Sequence, residues 1–304
     1  MSGNLETSIG PLKLNSPLVA ASGTFGYGIE FEGLVDFNAF GAIITKAVSL
    51  EPRPGNPYPR IIETPSGMLN TIGLENPGID VFLNEKLPKA AELGVPIIAN
   101  LVGDRVEDYR QLAEILDKEN RLSGMEINAS CPNVECGYET FATTPEAISE
   151  LTAAVRNETA KPVIAKLSPN VTDIVPIAKA AMDAGADALT LINTFLGMAI
   201  DIETRKSRIA RDHAGLSGRA IRPLAVRIVH QVYSALKVPI IGTGGIYETS
   251  DALEFLIAGA SAVSTGTINF MDPSRAVSIR TGISEYLVSH NMDLKDLIGS
   301  FIPS

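Results

Sequence analysis

The run Asn128-Ala129-Ser130-Cys131-Pro132-Asn133 closes an apolar stretch and sets a thiol among carboxamides. A thiolate is a base and a nucleophile, and an asparagine amide offers both a donor and an acceptor to a polar substrate. This combination can move a proton. A free cysteine is often only a small buried hydrophobe. Cys131, however, sits at a strand exit, before Pro132, and opens a glycine-containing loop through Thr144 that can serve as a lid. Cys136 lacks such neighbours and reads as structural or incidental. With two cysteines and three histidines, the chain has too few ligands for a cysteine-bound iron-sulfur cluster or a zinc site, and no metal is expected.

Positioning these groups requires a scaffold, and the chain alternates short β-branched runs with helix-like stretches, the pattern of parallel βα units. The expected strands are Leu18 to Ala21, Ala42 to Thr45, Pro96 to Asn100, Met125 to Asn128, Val163 to Leu167, Ala188 to Asn193, Pro239 to Gly242 and Ala262 to Thr265. Eight such units predict a TIM (β/α)8 barrel, and the 304 residues fit one domain spanning 1–304. The openings Gly94-Val95-Pro96, Lys161-Pro162-Val163 and Lys237-Val238-Pro239 repeat weakly, as copies of one module. Between strands, Ile174, Ile177, Ala178 and Ala181 predict a helix over Asp173 to Ala184, capped by Thr172, with Pro176 in its first turn. Leu5 to Leu14 predicts an N-terminal hairpin plugging one end of the barrel. Insertions at Leu50 to Gly78 and at Phe195 to Gly218, the latter a hairpin around Glu203 to Ser207, belong to the opposite, C-terminal face.

At the carboxyl ends of parallel barrel strands, side chains converge on one mouth. Ser22, Lys46, Asn100, Asn128, Lys166 and Asn193 fall at the ends of strands one to six, and alternation puts Glu126 on the same face as Asn128. Buried polar groups need partners, which a polar ligand supplies. The last two strands end in Gly242-Thr243-Gly244-Gly245 and Thr265-Gly266-Thr267, loops suited to phosphate because glycine lets backbone donors approach an anion. Lys46 and Lys166 are either Schiff-base nucleophiles or fixed cations beside an electron-rich ring; the second reading fits flavin mononucleotide.

Composition narrows the partners. With 25 basic and 35 acidic residues the formal charge is −10, and no basic stripe offsets it, so no nucleic acid is expected. Met1 to Gly10 lacks a signal-peptide pattern, and no window approaches the roughly 20 apolar residues of a membrane span. Reduced thiols and a cytoplasmic location are expected.

The Asn128 to Asn133 run, with Asn70-Thr71-Ile72-Gly73-Leu74-Glu75-Asn76 and Ile192-Asn193-Thr194, resembles the dihydroorotate dehydrogenases over essentially the whole chain. Cysteine at position 131 is similar to the soluble class. Lys166-Leu167-Ser168-Pro169-Asn170-Val171-Thr172-Asp173-Ile174 resembles its NAD-linked branch. The resemblance implies FMN held by Ser22, Lys46, Ala47, Asn100, Asn128, Lys166, Ile192, Gly218, Gly244, Gly245, Gly266 and Thr267. It implies substrate contacts at Lys46, Asn70, Thr71, Ile72, Gly73, Leu74, Asn128, Asn193 and Thr194. The implied reaction oxidises dihydroorotate to orotate in pyrimidine (UMP) biosynthesis, Cys131 taking the C5 proton and FMN the C6 hydride. No G-x-G-x-x-G fingerprint follows a strand, so the electrons need a second subunit, which the resemblance gives as one bearing FAD and [2Fe-2S] in a heterotetramer of two copies each. The alternatives are a fumarate-linked homodimer of the same family, a phosphate-binding barrel lyase using Lys166, and a flavin scaffold without turnover. One departure stands at Ala214, where the family usually has glycine; alanine restricts positive φ there.

Overall fold

The computed structural model describes residues 3–130, 132, 133 and 139–303. Sixteen strands are formed among them: β1 (Thr7–Ile9), β2 (Leu12–Leu14), β3 (Leu18–Ala20), β4 (Ala42–Val48), β5 (Ile61–Thr64), β6 (Gly67–Asn70), β7 (Ile97–Leu101), β8 (Gly124–Asn128), β9 (Pro132–Asn133), β10 (Glu139–Thr140), β11 (Val163–Lys166), β12 (Ala188–Leu191), β13 (Phe195–Gly197), β14 (Ala214–Ser217), β15 (Ile240–Thr243) and β16 (Ala262–Thr265). Eight of them, in the order β3-β4-β7-β8-β11-β12-β15-β16 and back to β3, close a barrel in which all neighbours run parallel. They coincide with the eight expected strands within a few residues. Their near-continuous Val, Ile, Leu and Ala runs follow from burial on both faces, by helices outside and by barrel side chains inside.

The surrounding helices carry the matching stripe. In the helix Val106–Asp117, Tyr109, Leu112, Ala113 and Leu116 are buried at helical spacing, and in Pro145–Glu158 the Thr144 hydroxyl caps the first turn by accepting from Ala147 N at 3.2 Å. The expected cap at Thr172 is not used. The helix there is Val175–Asp183, and the Asp173 carboxylate accepts from Val175 N at 3.1 Å, so this side-chain turn starts it two residues later than expected.

Strands β1 and β2 form the expected hairpin, and Ile9 and Leu14 join Val19, Ile44, Ile98, Ile164 and Ile241 in a buried cluster that fills the N-terminal end of the barrel. The two insertions were expected at the same end of the barrel, with no pairing between them foreseen. Instead they share one antiparallel sheet, β13-β14-β6-β5, in which Gly215 pairs with Asn70 and Ser217 with Met68. The hairpin of the second insertion is present, with Phe195 opposite Leu216 and a bridge from Ile200 to Ser207. No described helix is long and apolar enough to cross a membrane.

Candidate active site at the barrel mouth

Register decides which strand-end residues meet. Lys166 lies opposite Asn128 on one side and Thr190 on the other, and Asn100 lies opposite Glu126. A register shift between Ile44 and Ala47 places Ala47 beside Asn100, a bulge that re-aims the end of β4.

The Lys166 side chain is buried, 7% exposed, and its ammonium donates to Ser22 Oγ at 2.9 Å. Asn193 Nδ2 donates to Asn128 Oδ1 at 3.3 Å, so two of the expected substrate amides meet across strands. The same Asn193 accepts from Thr194 N at 2.8 Å. Tyr109 donates its hydroxyl to the Asn128 carbonyl at 2.9 Å, fixing the end of β8 from the helix layer. Just beyond, Ala129 N points to the Lys166 carbonyl at 3.3 Å and the Ala129 carbonyl accepts from Ala142 N at 3.0 Å, which pins the chain on both sides of the loop that carries Cys131. Cys131 itself, and Cys136, lie outside the described residues.

At the other end of the mouth the glycines converge. Gly218 and Gly245 adopt φ of 96° and 77°, and a Cβ on Gly245 would stand 2.8 Å from the Gly218 carbonyl. Thr267 Oγ1 donates to Ser217 Oγ at 2.9 Å, linking the loop after β16 to the same place, and a Cβ on Gly266 would meet nothing closer than Ala21 at 3.9 Å. Gly244 is equally tight on its protein side, where a Cβ would lie 2.9 Å from Ala225. Ile192 is buried and its N–H is held by the Thr243 carbonyl at 3.1 Å.

The segment Asn70 to Leu74 is tied to the mouth by three contacts. Asn70 Nδ2 donates to the Gly215 carbonyl at 3.3 Å, Asn56 Nδ2 donates to Thr71 Oγ1 at 2.9 Å, and Leu74 packs on Ala47 and Val102. The Ile72 carbonyl accepts from Asn56 N at 3.0 Å, and Gly73 takes the positive φ of 76° that turns the segment. Lys46 pairs with Glu75 at 3.2 Å, and Arg60 reaches the other oxygen of that carboxylate at 3.1 Å. The Arg60 hydrogen bond first, and Lys46 second, hold the Glu75 carboxyl below its ordinary value. Ala214 lies in extended β14 opposite Gly197, so alanine brings no positive-φ strain where the family usually has glycine.

Several groups escaped the sequence reading. Glu75 neutralises part of the Lys46 charge, and Arg60 shares the same carboxylate. Asn170 donates to the Thr194 carbonyl and accepts from Leu196 N, both at 2.9 Å, thereby holding β13 against the mouth. Its place in Leu167-Ser168-Pro169-Asn170 was the available signal.

The mouth thus offers one buried cation, facing amides on one side and a glycine-lined cradle on the other. The donor set fits a flat polar ring with a phosphate tail: among the described residues Lys166 has a single neutral hydroxyl as partner and the buried Thr265 Oγ1 has none, and the space above Gly266 is open.

Fold and site together define a (β/α)8 barrel with a glycine-lined, cation-bearing mouth at the carboxyl ends of its strands. The chain belongs to the dihydroorotate dehydrogenase family, a family of oxidoreductases, whose model matches residues 4–287. It is 53% identical over 298 residues to the dihydroorotate dehydrogenase B (NAD(+)), catalytic subunit, of Geotalea daltonii, with 98% of each chain covered. The proteins of the same name from Geobacter sulfurreducens and Desulforamulus reducens are 51% and 49% identical, again over 98% of each chain.

Proposed function

We propose that this chain is the catalytic subunit of an NAD-linked dihydroorotate dehydrogenase that oxidises dihydroorotate to orotate in pyrimidine synthesis. The observation that carries the reading is the buried Lys166 ammonium, bonded among the described residues only to Ser22, together with the Asn128–Asn193 pair and the glycine cradle. FMN would be held by Ser22, Lys46, Ala47, Asn100, Asn128, Lys166, Ile192 and Gly218, with Gly244, Gly245, Gly266 and Thr267 at its phosphate. Bound there, it supplies an acceptor for the hydride leaving substrate C6.

The chain's own residues do the rest. Lys46, Asn70 through Leu74, Asn128, Asn193 and Thr194 orient the anionic substrate. Lys166 holds a fixed positive charge in a site shielded from water, where it acts more strongly than at the surface. Cys131 removes the C5 proton as thiolate and returns it to solvent after turnover. A free thiol titrates near pH 8.5, so the rate of substrate oxidation rises with pH through the neutral range. A partner subunit carrying FAD and [2Fe-2S], in a heterotetramer of two copies each, would supply the route for the electrons to NAD. The relatives' printed description as a catalytic subunit supports such a partner.

The test follows bleaching of the visible flavin spectrum by dihydroorotate in the FMN-loaded chain under anaerobic conditions. Wild type bleaches, and Cys131→Ala bleaches at least about a hundredfold more slowly, the usual size of a lost general base. Equal rates would remove Cys131 from the mechanism, and full NAD reduction by the isolated chain would remove the partner.

A further inference from the structure

Beside the proposed ring-binding residues lies a carboxylate that the reaction as described does not use. Glu126 is fully buried in β8. Its Oε1 accepts from Asn100 Nδ2 at 2.7 Å and its Oε2 accepts from the Thr190 hydroxyl at 2.6 Å. Burying a carboxylate is costly, and a well-packed apolar side chain would fill the same space more cheaply. Its presence therefore calls for a role in what it holds.

A carboxylate can only accept hydrogen bonds. Asn100 must turn its NH2 toward Glu126, which leaves its carbonyl oxygen as the free edge, and no described residue donates to that oxygen. Thr190 spends its one proton on the same carboxylate and keeps its lone pairs. Asn100 stands beside Ala47, and Thr190 beside Lys166. Without Glu126, the Asn100 amide could rotate and offer either edge.

We propose that Glu126 is a positioning residue that locks Asn100 with its carbonyl oxygen toward the bound ring, so that the site selects a ring edge carrying an N–H. The proposal rests on the flavin reading above. The oxidised flavin ring has a single N–H, at N3, flanked by two carbonyls. A locked acceptor recognises that group, whereas a freely rotating amide would bind a neighbouring carbonyl equally well.

The test uses the full chain freed of FMN and titrated with FMN and with 3-methyl-FMN, binding being read at equilibrium from flavin fluorescence. Wild type is expected to prefer FMN by about tenfold or more, the usual effect of leaving one buried acceptor unpaired. In Glu126→Leu that preference falls to within about threefold, chiefly through weaker FMN binding. A second pair of variants covers the case in which the leucine protein does not fold. Asn100→Asp sets two carboxylates against each other and weakens FMN binding about tenfold. Adding Glu126→Gln restores an amide–carboxylate pair with the roles exchanged, and with it both affinity and preference, a rescue that a purely structural role would not give. If wild type binds both flavins equally, or the double variant is not rescued, the proposal fails while the flavin reading stands. If wild type takes up no FMN, both fail.

Discussion

Replacing Lys166 by methionine separates what the fold needs from what the site needs. Lys166 is 7% exposed and its ammonium donates to the neutral Ser22 hydroxyl at 2.9 Å. Withdrawing an ammonium from water costs several kcal/mol even after relaxation. A hydrogen bond involving a charged group returns about 1.5–3 kcal/mol. In the ligand-free protein the balance leaves Lys166 a net liability of about 2 kcal/mol. Methionine keeps the apolar stem and removes the charge, and Ser22 is half-buried at the mouth, so its freed hydroxyl can turn to water. The FMN-free variant is therefore expected to melt about 4 °C higher than wild type, at roughly 2 °C per kcal/mol for a chain of this size. Its affinity for FMN is expected to fall about tenfold to hundredfold through loss of a charged contact. With saturating FMN the order of melting temperatures narrows or reverses, because wild type gains more from binding. Calorimetry with and without FMN, together with a fluorescence titration, reads all three. A ligand-free variant that melts below wild type would refute the reasoning, because Lys166 would then be serving the fold rather than the ligand.

Gly245→Ala forces a left-handed residue onto alanine and drives its Cβ to 2.8 Å from the Gly218 carbonyl and 2.9 Å from Arg222 Cβ. The expected cost is about 1–2 kcal/mol from the backbone alone, seen as a lower urea midpoint, with FMN affinity reduced at least about tenfold. Asp251 is buried, accepts from Tyr247 N at 2.8 Å and Glu248 N at 3.1 Å, and pairs with Arg222. Asp251→Ala should cost about 2–3 kcal/mol in urea unfolding, at the low end for a broken buried pair because Arg222 keeps Glu254. Glu75 has its pKa lowered from 4.5, first by Arg60 and then by Lys46. A depressed carboxylate stabilises above its ordinary value and loses that contribution as pH falls through the lowered one. Glu75→Gln should therefore unfold at less urea than wild type at pH 7, and the gap should close as pH falls below 4.5.

The eight barrel strands were legible because burial on both faces writes continuous β-branched runs, and the Ile9 and Leu14 hairpin was legible from its own alternation. Strand-end residues could be read as one site because a closed parallel barrel brings all its carboxyl ends together. Their partners could not be read in this way. That Lys46 meets Glu75, or that Asn193 reaches Asn128, depends on loop paths and on distances between strands. The pairing of β14 with β6 was hidden for a related reason: Gly215, Asn70 and Ser217 carry little hydrophobic pattern, and pattern is what specifies register. The helix start shows the same limit at short range: Thr172 and Asp173 are both residues that can turn the chain, and geometry puts the side-chain turn on Asp173 and leaves Ile174 to open the helix.

The shared sheet of the two insertions also sets an order of events. Met68 pairs with Ser217, so β6 must wait while about 150 residues are synthesised before its partner exists. Until then β5 and β6 form a two-stranded ribbon, an arrangement that is marginal in water, with one edge open to pairing with other chains. Closing so long a loop is favourable only once the intervening barrel strands are already packed. This side of the mouth therefore takes shape only after the second insertion has been made, and the barrel beneath it closes later still, when Thr265 of β16 pairs with Ala20 of β3.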